Sequence, residues 1–121
     1  MNELQTGIGT KEAISLKPLS VIIKSASIEV VGQKQAKKVV FSCQHPDTND
    51  LIKISQVKWE NKGKLEVSGL WWNLDDDKMI RKNSALAHFL QSNNVTNAEA
   101  MIGKSVPTIL DDKNYLSFKG Y

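Results

Sequence analysis

Leu51-Ile52-Lys53-Ile54-Ser55-Gln56-Val57-Lys58-Trp59-Glu60-Asn61-Lys62-Gly63-Lys64-Leu65-Glu66-Val67-Ser68-Gly69-Leu70-Trp71-Trp72-Asn73-Leu74 is the stretch whose reading decides the fold. Ile52-Lys53-Ile54 and Val57-Lys58-Trp59 alternate apolar and polar residues, Glu60 to Lys64 supplies a turn, and Leu65-Glu66-Val67-Ser68 resumes the alternation. Side chains on a strand point to opposite faces with a period of two, so the pattern predicts a hairpin with one buried face. Its phase is not constant. Ile52 and Ile54 are even while Val57 and Trp59 are odd; Leu65 and Val67 are odd while Leu70, Trp72 and Leu74 are even, with Gly69 at the change. A phase shift at glycine predicts a bulge or sharp bend, as where a strand turns the corner of a barrel.

Upstream of the hairpin, Leu19–Val31 is rich in β-branched residues and predicts a long strand bent around Ser25-Ala26-Ser27. Gly32–Lys37 reads as a polar turn, Lys38–Cys43 as a second strand, and His45–Asp50 as a loop. Downstream, Asp75–Lys78 reads as a turn, and Ser84–Ser92 as an amphipathic helix capped by Asn83 or Ser84, with Leu86, Phe89 and Leu90 on one face. Thr96-Asn97-Ala98-Glu99 has the spacing of a capping box and predicts a second short helical turn through Ala100-Met101-Ile102, stopping at Gly103. Ser105–Leu110 and Tyr115–Phe118 close the chain as a strand pair around Asp111–Asn114. The expected fold is mainly β with one or two short helices: a small antiparallel OB-like barrel capped by the Ser84–Ser92 helix. Residues 1–16 are expected to form a flexible arm before a single barrel domain over 17–121. The expected core is Ile22, Val40, Ile54, Val67, Leu86, Phe89, Leu90, Ile102 and Phe118.

A chain of 121 residues can bury about two-thirds of its unfolded surface in one domain. The first residues lack both the basic start and the apolar run of a signal peptide, and no apolar stretch is long enough to span a bilayer. The single cysteine, Cys43, excludes an intrachain disulfide. Together these features predict a cytoplasmic protein with no membrane association. Net charge is +3, unevenly spread: residues 1–64 hold ten lysines against six acids, the remainder six bases against seven. Arg81 is the only arginine. Lysine meets phosphate as a point charge, whereas bidentate reading of guanine favours arginine, so a nucleic-acid partner would be gripped by its backbone rather than read. Lysine serving solubility alone is the competing explanation.

Sites for chemistry are sparse. Cys43-Gln44-His45 sets a thiol near an imidazole, but the only other histidine is His88, and nothing beside the cysteine supplies an oxyanion turn. Asp75-Asp76-Asp77 and Asp111-Asp112 have the composition of tight turns as well as of a cation site. Gly103-Lys104-Ser105 lacks the earlier glycine of a phosphate-binding loop. The expectation is a non-enzyme with no metal and no cofactor. What remains is basic and aromatic: Lys53, Lys58, Lys62 and Lys64 on the hairpin, with Trp59, Trp71 and Trp72 among them. A ring standing out beside lysines is a stacking platform for unpaired bases. Adjacent tryptophans on a regular strand point to opposite faces, and Leu70 and Leu74 share the parity of Trp72. Trp71 is therefore the first candidate for the exposed ring, near Lys53 or Lys58, and Trp59 the second.

Arg81-Lys82-Asn83-Ser84-Ala85-Leu86-Ala87-His88-Phe89-Leu90, then Met101-Ile102-Gly103-Lys104-Ser105-Val106 and Tyr115-Leu116-Ser117-Phe118, resemble the end of small OB-like proteins from phages and mobile elements. In that group a helix leads through an Ile-Gly-Lys step into the final hairpin. The resemblance implies single-stranded DNA binding and assigns no individual site residue. Two classes of function are thus expected: a nucleic-acid-binding module with little sequence preference, directed at single-stranded DNA or RNA, or a non-catalytic protein-interaction or structural domain, such as an accessory or virion component.

Overall fold

The computed structural model describes residues 16–121. The expected arm over 1–16 therefore lies, but for Leu16, outside the described residues. The elements in chain order are β1 (Val21–Val31), β2 (Ala36–Gln44), β3 (Leu51–Ile54), β4 (Gln56–Asn61), β5 (Lys64–Gly69), α1 (Ala85–Ser92), a 3₁₀ turn (Glu99–Met101), β6 (Ser105–Val106), β7 (Thr108–Leu110) and β8 (Leu116–Gly120). The protein is mainly β, as the alternation predicts.

Two four-stranded sheets are formed, ordered β3-β2-β1-β6 and β5-β4-β8-β7. They are continuous with each other because two strands bend from one into the other. Only Ser55 separates β3 from β4, and only Pro107, which has no N–H to give a ladder, separates β6 from β7. Taking each bent pair as one strand, the circuit β1, β2, β3/β4, β8, β7/β6 returns to β1, curling the sheet into a small barrel. The strand pairings are antiparallel except for β4 with β8, which is parallel and joins the N-terminal strands to the C-terminal ones.

Three rings fill the centre. Phe89 and Phe118 stack with centroids 4.6 Å apart, and Phe41 meets each of them at 5.7 Å. All three are fully buried, with Leu86 and Leu90 brought in by α1 across one end of the barrel. The helix starts where predicted: the Ser84 hydroxyl accepts from the Ala87 amide at 3.1 Å, an N-cap bond.

Six of the nine expected core residues are buried; Ile22, Val67 and Ile102 are exposed. On β1 the inward residues are Val21 and Ile23, so Ile22 between them faces out, and a bulge between Ile23 and Ser25 then resets the phase. After the 3₁₀ turn, Met101 goes inside and leaves Ile102 out. The capping box at Thr96–Glu99 does not form: the Asn97 carboxamide oxygen accepts from the Ala100 amide at 2.8 Å, and the turn is a single 3₁₀ turn. Val67 has the most informative explanation. The phase change at Ser55 is real, with Ile54 and Val57 both buried. Gly69, in contrast, is no bulge. Alternation runs unbroken from Leu65 to Trp72, and Leu65 and Val67 lie on the outer face. What changes at Gly69 is the neighbour: the chain leaves β4 and runs beside β2, with the Val39 amide donating to the Leu70 carbonyl and the Trp72 amide to the Lys37 carbonyl, both at 2.8 Å.

Candidate nucleic-acid interface

The outer face of β5, β4 and β8 is built in rows. Val67, Lys58 and Lys119 are register partners across the three strands, and Gln56 pairs with Gly69 and Glu60 with Leu65. Beyond Gly69 the same face carries Trp71, bridged to Lys38 of β2. Trp71 is 38% exposed and its ring lies back over Gly69: a Cβ there would sit 2.8 Å from Trp71 Nε1 and 3.0 Å from Lys38 Cε. A side chain at this position would push the ring and the lysine stem aside. The Lys38 ammonium stands 5.2 Å from the Trp71 ring centroid. At the far end Lys119 stands 5.1 Å from the ring of Tyr121, which is 50% exposed. By strand geometry Gly69, beneath the Trp71 ring, and Tyr121 are about 16 Å apart, four residues along and two strands across.

The predicted site residues divide. Trp71, Lys58 and Lys53 share the outer surface. Lys53 is on β3, opposite Ser42, and is held by Glu29 at 3.1 Å. Trp71 is the exposed ring, as expected from the parity of Leu70, but its cationic neighbour is Lys38, not Lys53 or Lys58. Trp59 is withdrawn from the set. It is only 8% exposed, its indole N–H donates to Ser68 Oγ at 3.0 Å, and its ring lies 5.2 Å from that of His88, whose Nε2 bonds to the Gly120 carbonyl at 2.9 Å. It shares the parity of buried Val57 and fastens α1 to the barrel. Lys62 and Lys64 occupy the hairpin tip beyond the rows. Lys62 and Gly63 both have positive φ, +53° and +81°, the geometry of a tight two-residue turn. Lys38, Lys119 and Tyr121 were missed because nothing in local sequence says that β2, β4 and β8 present one surface. Trp72, the other member of the pair, turns inward and packs against the core.

Other chemistry-bearing residues serve the fold. Asp111 Oδ1 accepts from the amides of Lys113 and Tyr115, and Oδ2 from the Gln56 carboxamide; the Tyr115 N–H above all holds this carboxyl below the usual range. Asp75 Oδ1 accepts from Asp77 and Met79 amides in its own turn. His45, in a loop as expected, is fully buried: Nδ1 accepts from the Asp47 amide and Nε2 donates to the Lys17 carbonyl at 2.7 Å. Among the described residues no three His, Cys, Asp or Glu side chains gather where they could hold a metal, and no helix is long and apolar enough to cross a membrane.

Burial pushes the Cys43 thiol up to about 12 from its ordinary 9.0, so the thiolate is strongly disfavoured in the fold. With the folded value above the unfolded one, this contribution to stability is complete below pH 9 and is lost as the pH climbs toward 12. Urea unfolding at pH 9 and pH 11 should show the wild type losing about 2–3 kcal/mol more than Cys43→Ala over that interval. Equal losses would mean that the thiol ionises as readily in the fold as out of it.

No protein-family model, curated protein or solved structure matches this chain.

Proposed function

We propose that the outer face of β5, β4 and β8 binds single-stranded nucleic acid with little sequence preference. The observation that carries the reading is that the two lysine–aromatic pairs, Lys38 with Trp71 and Lys119 with Tyr121, lie on the same face on either side of Lys58. Rings offer π-faces to any unpaired base, and ammonium groups beside them meet the phosphates of the same strand. A duplex offers phosphates but keeps its bases stacked, so single strands are favoured. The same face carries Leu65 and Val67, 50% and 40% exposed, which supports a second reading: a non-catalytic docking surface for another protein.

Fluorescence anisotropy with labelled single- and double-stranded oligonucleotides separates the two. With three lysines on phosphates, log K should fall against log salt with a slope of about −2 for single strands. Replacing Lys58 and Lys119 by glutamine should flatten that slope by about 1.4. Binding indifferent to salt, or none at low salt, rules out the nucleic-acid reading and leaves the protein-docking one.

A further inference from the structure

Among the described residues, β1 is longer than the strands that pair with it. β2 pairs with it as far as Val31 along one edge, but on the other β6 reaches only Val21 and Ile22. The last backbone bonds on that side run from the Ile23 amide to the Lys104 carbonyl, 3.0 Å, and from the Gly103 amide to the Ile23 carbonyl, 2.7 Å. Among the described residues, the edge from Ser25 to Val31 has no backbone partner. That is about 23 Å of unpaired strand. Exposed edges are ordinarily guarded by lysine, proline or a bulge. Ser25-Ala26-Ser27-Ile28-Glu29-Val30-Val31 carries a single charge, Glu29, and that charge is held by Lys53.

The bulge after Ile23 puts Ala26, Ile28 and Val30 on the concave face and Ser25, Ser27 and Glu29 on the outer one. Ile28 and Val30 are 49% and 60% exposed. Beside them opens a groove of about 740 Å³, lined by Ala26, Ile28, Trp72, Ala98 and Ile102 among others.

We propose that this edge pairs with a second copy of the chain, β1 against β1, antiparallel about a two-fold axis at Ile28. In that register Ile28 faces the partner's Ile28, Ala26 faces the partner's Val30, and Ser27 faces the partner's Glu29. One face of the junction is then wholly apolar, and no like charges are opposed. Moving the axis by one residue spoils the match. Centred on Glu29 it sets two carboxylates face to face, and centred on Ser27 it lays Lys24 against the partner's Val30. Val30, the most exposed apolar side chain of β1, enters the groove beside Ala26 of the other copy. Knob and hole thus come from one surface, as an isologous interface requires. The proposal stands independently of what the β5-β4-β8 face binds.

Sedimentation velocity over a concentration series should show the wild type forming dimers, and Ile28→Lys, at an exposed position, remaining monomeric with an unchanged circular dichroism spectrum. Cross-linking fixes the register. Cα atoms opposed across an antiparallel pair lie about 4.5–5.5 Å apart, within disulfide reach. Ile28→Cys should therefore give a covalent dimer under oxidised glutathione. Val30→Cys should not, because its counterpart lies four residues away along the strand, about 13 Å. A wild type that stays monomeric at several hundred micromolar, or equal cross-linking by the two cysteines, overturns the proposal and leaves the edge to a strand of another protein.

Discussion

Phe118→Ala is expected to cost about 3–5 kcal/mol, the loss typical of a large ring removed from a packed core. The site has little means to collapse. Phe118 is fully buried, stacks on Phe89 at 4.6 Å, is met edge-on by Phe41, and lies on β8 in register with Val57. The change removes a contact of the helix and a contact of both sheets at once. A domain of this size holds on the order of 5–15 kcal/mol in total, so the variant should melt far below the wild type or fail to fold. Chemical denaturation with tryptophan fluorescence measures it. Phe118→Leu, which keeps most of the volume, should recover more than half of the loss; a cost below about 1 kcal/mol for Phe118→Ala would mean that the three-ring centre is not the core of the barrel.

Trp71→Ala is expected to weaken oligonucleotide binding by roughly 5- to 150-fold, since one stacked base contributes about 1–3 kcal/mol. Stability should fall by only about 1 kcal/mol, because the ring covers Gly69 and the stem of Lys38 from outside and nothing is threaded through it. Trp71→Phe should retain much of the affinity, as any ring supplies a face. Trp59→Ala is the informative contrast: it removes a buried indole bonded to Ser68 and packed on His88, and should lower stability far more than Trp71→Ala. Trp71→Ala binding with wild-type affinity would remove this ring from the interface and favour protein docking through Leu65 and Val67.

Local pattern alone determined a good deal here. Turn positions follow from glycine, asparagine and aspartate at sites needing positive φ or side-chain bonds to amides, and those signals sit within a few residues: Gly63, the Asp75 turn, the Asp111 turn. The helix follows from the Ser84 cap and the Leu86, Phe89 and Leu90 stripe, and the exposure of Trp71 from simple alternation with Leu70. Each needs only the chain's own geometry over one or two turns or strand repeats. Which face of a strand is the core is another matter, because parity fixes that two faces differ and not what covers them. Val67 looked inward by composition, yet among the described residues nothing packs over β5 on that side. Trp59 looked available for stacking until α1 closed over it, and Gly69 looked like a bulge until Trp71 proved to lie on it. The surface that joins Lys38, Lys58, Lys119, Trp71 and Tyr121 draws on strands more than eighty residues apart in sequence. Only the parallel β4–β8 pairing and the swing of Leu70–Trp72 onto β2 bring them together, and long-range pairings of that kind leave no periodic trace in the sequence.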